Sequence, residues 1–419
     1  MNPLLQKILA ATGLTRRGDL VEATQAIQRA LRAEPTTSRA TAPSSNGSTS
    51  AAGAVAEVLD GLVREVAPAR HAPEPVVQAE PYIEFESSTD VEPHGGRFVE
   101  SSFTAEAGTR SFKLFEPAGF EGRTLPLVVM LHGCTQDPDD FAAGTRMNDL
   151  AQEQGLLVLY PAQAPRSNAH KCWNWFVPAD QRRGHGEPAL LAGMTRHVME
   201  THRVDADRVW VAGLSAGGAM AAILACEYPD LFAAAGIHSG LPPGAAHDVV
   251  SAFSAMKSGA AGALPGWPGA AGLAPVRTPL VAWPGTALAD SAPEPRPADA
   301  AQGAPVIVFH GDADTTVNVL NGNHAIDAAL GASPALAARE SGRSAAGAGR
   351  AFTRTVYRPA EGPDLAPSRA EHWLVHGAGH AWSGGDDAGS FTESDGPDAS
   401  REMLRFFAEH PRRRGAVDF

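Results

Sequence analysis

Three residues in the chain have the types and the order that acyl-transfer chemistry needs. Ser215 sits at the centre of Gly213-Leu214-Ser215-Ala216-Gly217, directly after the β-rich run "RVWVA". Asp312 and Asp314 follow the run "VIVFHG", and His380 follows "HWLVHG". A serine hydroxyl is a weak nucleophile at neutral pH. It needs a base to take its proton and a carboxylate to orient that base. The pattern G-x-S-x-G suits a strand that turns sharply into a helix and lifts the serine above a sheet edge, and the order Ser, Asp, His accompanies it. The pentapeptide alone also has a bland reading, as small residues packing at a strand–helix turn with a serine cap. Three strand-end residues in the right order are much harder to explain that way. Of the two acids, Asp314 is assigned the orienting role. Asp312 follows His310-Gly311 directly and is read as holding the turn through backbone hydrogen bonds.

The tetrahedral intermediate of such chemistry needs two fixed N–H donors. Ala216, after the nucleophile, offers one at a helix start, where the dipole helps. The loop His132-Gly133-Cys134-Thr135, after "LVVMLHG", offers the other through Cys134. Cys134 and Cys172 both fall in loops on the same edge, as a disulfide or as two thiols. Cys226 reads as a small core residue. Trp173, Asn174 and Trp175 in "CWNWF" lie beside the oxyanion loop and are read as substrate surface, with core packing as the alternative. Trp382, two residues past His380, is a further candidate. His376 and His380 are four apart, but in a Gly-rich loop that spacing does not place them on one face. Neither a metal nor a cofactor is expected.

These residues need elements to position them. Short β-rich runs alternate with helical patterns from "LPLVVMLHG" to "DASREMLRFFAEH". The alternation predicts an α/β fold with a mostly parallel sheet flanked by helices on both faces, and chemistry at the carboxyl ends of the strands. The stretch "FVESSFTAEAGTRSFKLFEP" predicts an antiparallel hairpin on the sheet edge. Residues 1–34 read as a helical segment. Within it, "GDLVEATQAIQRALRAEP" looks like half of a tetratricopeptide repeat, which cannot bury its own face and must dock on this chain, a second copy or a partner. Residues 35–80 read as a flexible linker rich in Ser, Thr, Ala and Pro. Residues 81–419 form the catalytic domain, with a long Ala/Gly/Pro-rich insertion at about 258–303 and a soft region at about 332–350.

The net charge of −13 argues against a nucleic-acid partner. No apolar run is long enough to span a bilayer. Three cysteines suit a reducing compartment better than a disulfide scaffold. The start "MNPLLQKILAATGLTRRGD" lacks the layout of an export signal, because its apolar run is interrupted and its basic residues come after it. A cytoplasmic protein is therefore expected.

The stretches "LHGCTQDPDDFAAGTRMNDLAQEQGLLVLYPAQ", "CWNWF", "GLSAGGAMA", "YPDLFAAAGIHSGLP", "FHGDADTTV" and "HGAGHAWSGG" together resemble the polyhydroxybutyrate depolymerase family of esterases. The resemblance covers about residues 95 to 410. It implies an α/β-hydrolase fold and hydrolysis of a poly(3-hydroxyalkanoate) or its oligomers. It also implies Ser215 as nucleophile, Asp314 as acid, His380 as base and the Cys134 loop at the oxyanion. Related enzymes act on feruloyl or acetyl esters of plant polysaccharide, which keeps a carbohydrate esterase as the alternative. A granule-associated binding protein without turnover is a third reading. Secreted family members carry a signal peptide and a polymer-binding module, neither of which is visible here. The layout is closest to the intracellular members, which meet storage granules or soluble oligomers. The N-terminal helices are then a device for self-association or for docking on a granule or partner.

Overall fold

The computed structural model describes residues 90–91, 95–105, 108–260, 303–331, 335–344, 349–360 and 367–412. The chain divides into two units, 1–82 and 83–419. The expected N-terminal helical segment and linker lie outside the described residues, as does nearly all of the insertion at 258–303.

In chain order the strands are β1 (Asp90–Val91), β2 (Arg97–Ala105), β3 (Gly108–Glu116), β4 (Leu125–Leu131), β5 (Leu157–Pro161), β6 (Val204–Leu214), β7 (Ala234–His238), β8 (Val306–Gly311), β9 (Ala335–Arg343), β10 (Ala351–Pro359), β11 (Ala370–Val375), β12 (Trp382–Ser383) and β13 (Thr392–Glu393). The helices are α1 (Pro138–Thr145), α2 (Met147–Gln154), α3 (Gly186–Thr201), α4 (Ala216–Glu227), α5 (Val249–Ser258), α6 (Leu320–Leu330) and α7 (Ala399–Glu409).

Among the described residues, eleven strands make one sheet in the order β1-β2-β3-β5-β4-β6-β7-β8-β11-β10-β9. The run from β5 to β11 is parallel, and both flanks are antiparallel. Strands β4, β5, β7 and β8 are mostly apolar and almost wholly buried because helices cover both of their faces. One core layer holds Leu191, Met194 and Ile223 beneath α3 and α4; the other holds Phe141, Leu150, Phe406 and Phe407 beneath α1, α2 and α7. Helix α7 shows the logic at its clearest. Asp398 caps it by accepting the Arg401 N–H at 2.9 Å, and Met403, Leu404, Phe406 and Phe407 are buried. Among the described residues, no helix is long and apolar enough to cross a membrane.

The expected edge hairpin is β2 and β3, paired from Arg97↔Glu116 to Ala105↔Gly108. The expected soft region at 332–350 is corrected: β9 occupies Ala335–Arg343 and pairs along its whole length with β10. As the outermost strand, β9 is almost wholly exposed, so "ALAARESGR" carries no alternating apolar face from which to read it.

Register sets the functional edge. Leu131 pairs with Gly213, Leu214 with His238, and Val375 with Gly311. The loops that leave these residues therefore start side by side at the carboxyl edge of the parallel strands.

Candidate active site

Ser215 occupies the turn between β6 and α4 with φ 57° and ψ −117°, a conformation that L-residues rarely adopt. Its N–H donates to His238 O at 2.9 Å, and its carbonyl accepts the Ala219 N–H at 2.9 Å. The glycines are required by close approach. A Cβ on Gly217 would lie 2.0 Å from Leu131 O, and one on Gly213 would lie 2.4 Å from Gly217 O. The turn is thus pressed against the end of β4, where the loop 132–135 begins.

Asp314 and His380 face each other in the loops that follow β8 and β11. His380 Nδ1 lies 2.7 Å from Asp314 Oδ2. Asp314 Oδ1 accepts the N–H groups of Thr316 and Val317 at 2.8 and 2.9 Å. Its side chain is fully buried. Burial alone would raise the carboxyl pKa. The hydrogen bond and charge of His380, with the Val317 N–H, outweigh that and hold it below the ordinary aspartate value. With Nδ1 engaged by the carboxylate, Nε2 is the ring nitrogen left for a nucleophile. Asp312 does what its position suggested: it accepts from His376 Nδ1 at 2.8 Å and from the Gly377 N–H at 2.6 Å. His376 Nε2 in turn lies 2.9 Å from Thr353 Oγ1. His376 is therefore a brace for the His380 loop, and among the described residues no group of three potential ligands could hold a metal.

His238 is a part of the site that the sequence reading missed. It accepts the Ser383 N–H through Nε2 at 3.0 Å, which ties the His380 loop to the end of β7. Its ring stacks between Phe309 and Trp382. Burial, with the nearby His310 and His380, pushes its pKa down to about 3, so the ring stays neutral and can accept. Its place in "GIHSG", at the end of a predicted strand, was the available signal.

The loop 132–135, expected to supply an oxyanion donor, is held from several sides. Cys134 and Cys172 form a disulfide, the first of the two alternatives left open by the sequence. The Gly133 N–H donates to Gln136 Oε1 at 2.9 Å, and the Thr135 N–H donates to His170 O at 2.6 Å. His132 Nε2 accepts the Gln163 N–H at 3.1 Å, and burial pushes that imidazole down to about 4. Beneath it lies Glu187, which accepts from Gln163 Nε2, from the Asn174 N–H at 2.7 Å and from Asn174 Nδ2 at 2.9 Å. Burial and the charge of Asp180 push Glu187 up to about 7, against these donors and Arg110.

The expected substrate surface is corrected. Trp173, Trp175 and Trp382 are 0, 5 and 1% exposed. Trp173 donates Nε1–H to His132 O at 3.1 Å, and Trp382 donates Nε1–H to Ser400 Oγ at 3.0 Å. Asn174 is spent on Glu187 and on Asn168, whose Nδ2 it accepts at 3.0 Å. These side chains carry the loops from below, because large rings next to a loop-rich edge are the groups that can fill its underside.

The family described as esterase PHB depolymerase matches residues 110–265. The chain is 30% identical over 289 residues to poly(3-hydroxyalkanoate) depolymerase C of Paucimonas lemoignei, covering 67% of this chain and 60% of that one. It is 34% identical over 128 residues to feruloyl esterase B of Thermothelomyces thermophilus, covering 30% of this chain and 43% of that one. The chain thus spans less than two thirds of the length of these relatives. Among solved structures, an acetyl xylan esterase from Aspergillus awamori superposes with a TM-score of 0.50 at 18% identity, over 74% of this chain and 99% of that one. That likeness bears on the fold, which is that of the α/β-hydrolases.

Proposed function

We propose that this α/β-hydrolase-fold chain, whose residues 110–265 match the esterase PHB depolymerase family and which is similar to a poly(3-hydroxyalkanoate) depolymerase, is a serine ester hydrolase of that family acting on poly(3-hydroxybutyrate) or its oligomers. The observation that carries the reaction class is the Asp314–His380 contact at 2.7 Å on the sheet edge that also carries Ser215 at its strained turn.

In the proposed mechanism His380 Nε2 takes the Ser215 proton as Oγ attacks the ester carbonyl. Asp314 holds Nδ1–H and stabilises the imidazolium. The amides of Cys134 and Ala216 receive the oxyanion. The amides on either side of Cys134 already serve Gln136 and His170, which leaves Cys134 as the donor of its loop. Collapse expels the alcohol, protonated by His380, and leaves an acyl-Ser215 ester. Water activated by His380 then releases the acid.

The polyester reading is supported by the depolymerase C relative. The second reading, a feruloyl or acetyl carbohydrate esterase, is supported by the feruloyl esterase relative. An oriented acid–base pair favours turnover over a binding protein without catalysis. Rates on amorphous poly(3-hydroxybutyrate) granules, soluble 3-hydroxybutyrate oligomers and methyl ferulate, side by side, test the choice. Efficient cleavage of ferulate alone would reverse it. A cytoplasmic, granule-associated location is the expectation stated above, whereas the Cys134–Cys172 bond favours an oxidising compartment. Cell fractionation decides between them. Residues 1–34 are assigned to self-association or to docking on a granule or partner.

A further inference from the structure

The loop that follows His380 contains a residue that the needs of folding do not explain. Phe391 has φ 54°, in the left-handed region. A bulky side chain enters that region only where its surroundings over-determine it. Its ring gives little in return, because 46% of the residue is exposed.

The backbone around Phe391 is pinned from two sides of the site. On one side its carbonyl accepts the Trp382 N–H at 2.6 Å, two residues from His380, and the next residue, Thr392, pairs with Trp382 in the β12–β13 ladder. On the other side Ser390 O accepts from Gln136 Nε2 at 3.0 Å, and Gln136 Oε1 accepts the Gly133 N–H of the oxyanion loop. Ser390 is also held by Asp140, whose Oδ1 accepts its N–H at 2.8 Å and whose Oδ2 accepts from its Oγ at 2.6 Å. Phe391 therefore stands between the His380 loop and the oxyanion loop. A glycine would satisfy this backbone without strain, so what the phenylalanine adds is an exposed apolar ring on the segment that joins the two loops. The three tryptophans named from the sequence are buried and cannot supply that face.

We propose that Phe391 is a specificity-determining residue whose ring forms an apolar wall for the part of an extended ester that lies beyond the scissile bond. The inference rests on the ester-hydrolase reading above and applies to any aliphatic chain long enough to reach the ring.

The test uses the full chain with Phe391→Gly and Phe391→Leu, read on p-nitrophenyl acetate, p-nitrophenyl octanoate and soluble 3-hydroxybutyrate oligomers, with Tm measured in parallel. For Phe391→Gly the expected result is an equal or higher Tm and acetate kcat/KM within about twofold of wild type, with kcat/KM on the long esters down about tenfold or more, as loss of one aromatic contact costs. Phe391→Leu should recover part of the long-ester rate. Unchanged long-ester turnover in Phe391→Gly overturns the proposal, and so do equal losses on short and long esters. A wild-type chain that cleaves none of these esters overturns the ester-hydrolase reading instead, so the two failures are distinct.

Discussion

At the scale of single residues, the two aspartates after β8 make the sharpest contrast. Both accept from a histidine and from backbone amides, but only Asp314 faces His380. Asp314→Asn should lower kcat by about 10³–10⁴-fold, through the wrong imidazole tautomer. Asp312→Asn weakens a brace and should cost about tenfold or less. Steady-state rates on p-nitrophenyl butyrate check the ranking. Glu187 gives a pH prediction. Its folded pKa is raised from 4.5 to about 7, so between those values the folded protein holds more protons than the unfolded chain. Stability then falls as pH rises through that window, by up to about 3 kcal/mol. Glu187→Gln should flatten this dependence. Urea unfolding of variant and wild type at about pH 5 and pH 8 measures it, and an unchanged pH slope would contradict the assignment.

At the scale of elements, the turn between β6 and α4 has no room to spare. Gly217→Ala would drive a Cβ onto Leu131 O. It should cost about 3 kcal/mol or more, visible as a lowered Tm with loss of activity on every ester. The parallel strands were legible in the sequence because burial on both faces leaves uninterrupted apolar runs, as in "LPLVVML" and "VIVFHG". That Asp314 and His380 would meet was legible because each follows such a run. Strand β9 was not, since an exposed edge strand obeys no apolar period. Nor was the orientation of Trp173 and Trp175. Sequence gives their distance along the chain from Cys134, but whether a ring points above a sheet edge or beneath it is settled by the polar network of Gln163 and Glu187, whose members are far apart in sequence.

At the scale of the molecule, the proposed chemistry draws every residue from the unit 83–419. A chain beginning at Ile83 should fold and hydrolyse p-nitrophenyl butyrate at a rate within about threefold of the full chain, and a folded but inactive product would mean that residues 1–82 help build the site. Granule turnover by the same truncated chain reports separately on the assigned docking role. In the proposed reaction a single serine, raised at the carboxyl edge of the sheet, carries ester hydrolysis. Its most direct test is Ser215→Ala on p-nitrophenyl butyrate, with circular dichroism to verify the fold. An intact fold and a kcat reduced by about 10⁴-fold or more are expected; a folded variant that keeps a rate within about tenfold of wild type would rule out Ser215 as the nucleophile.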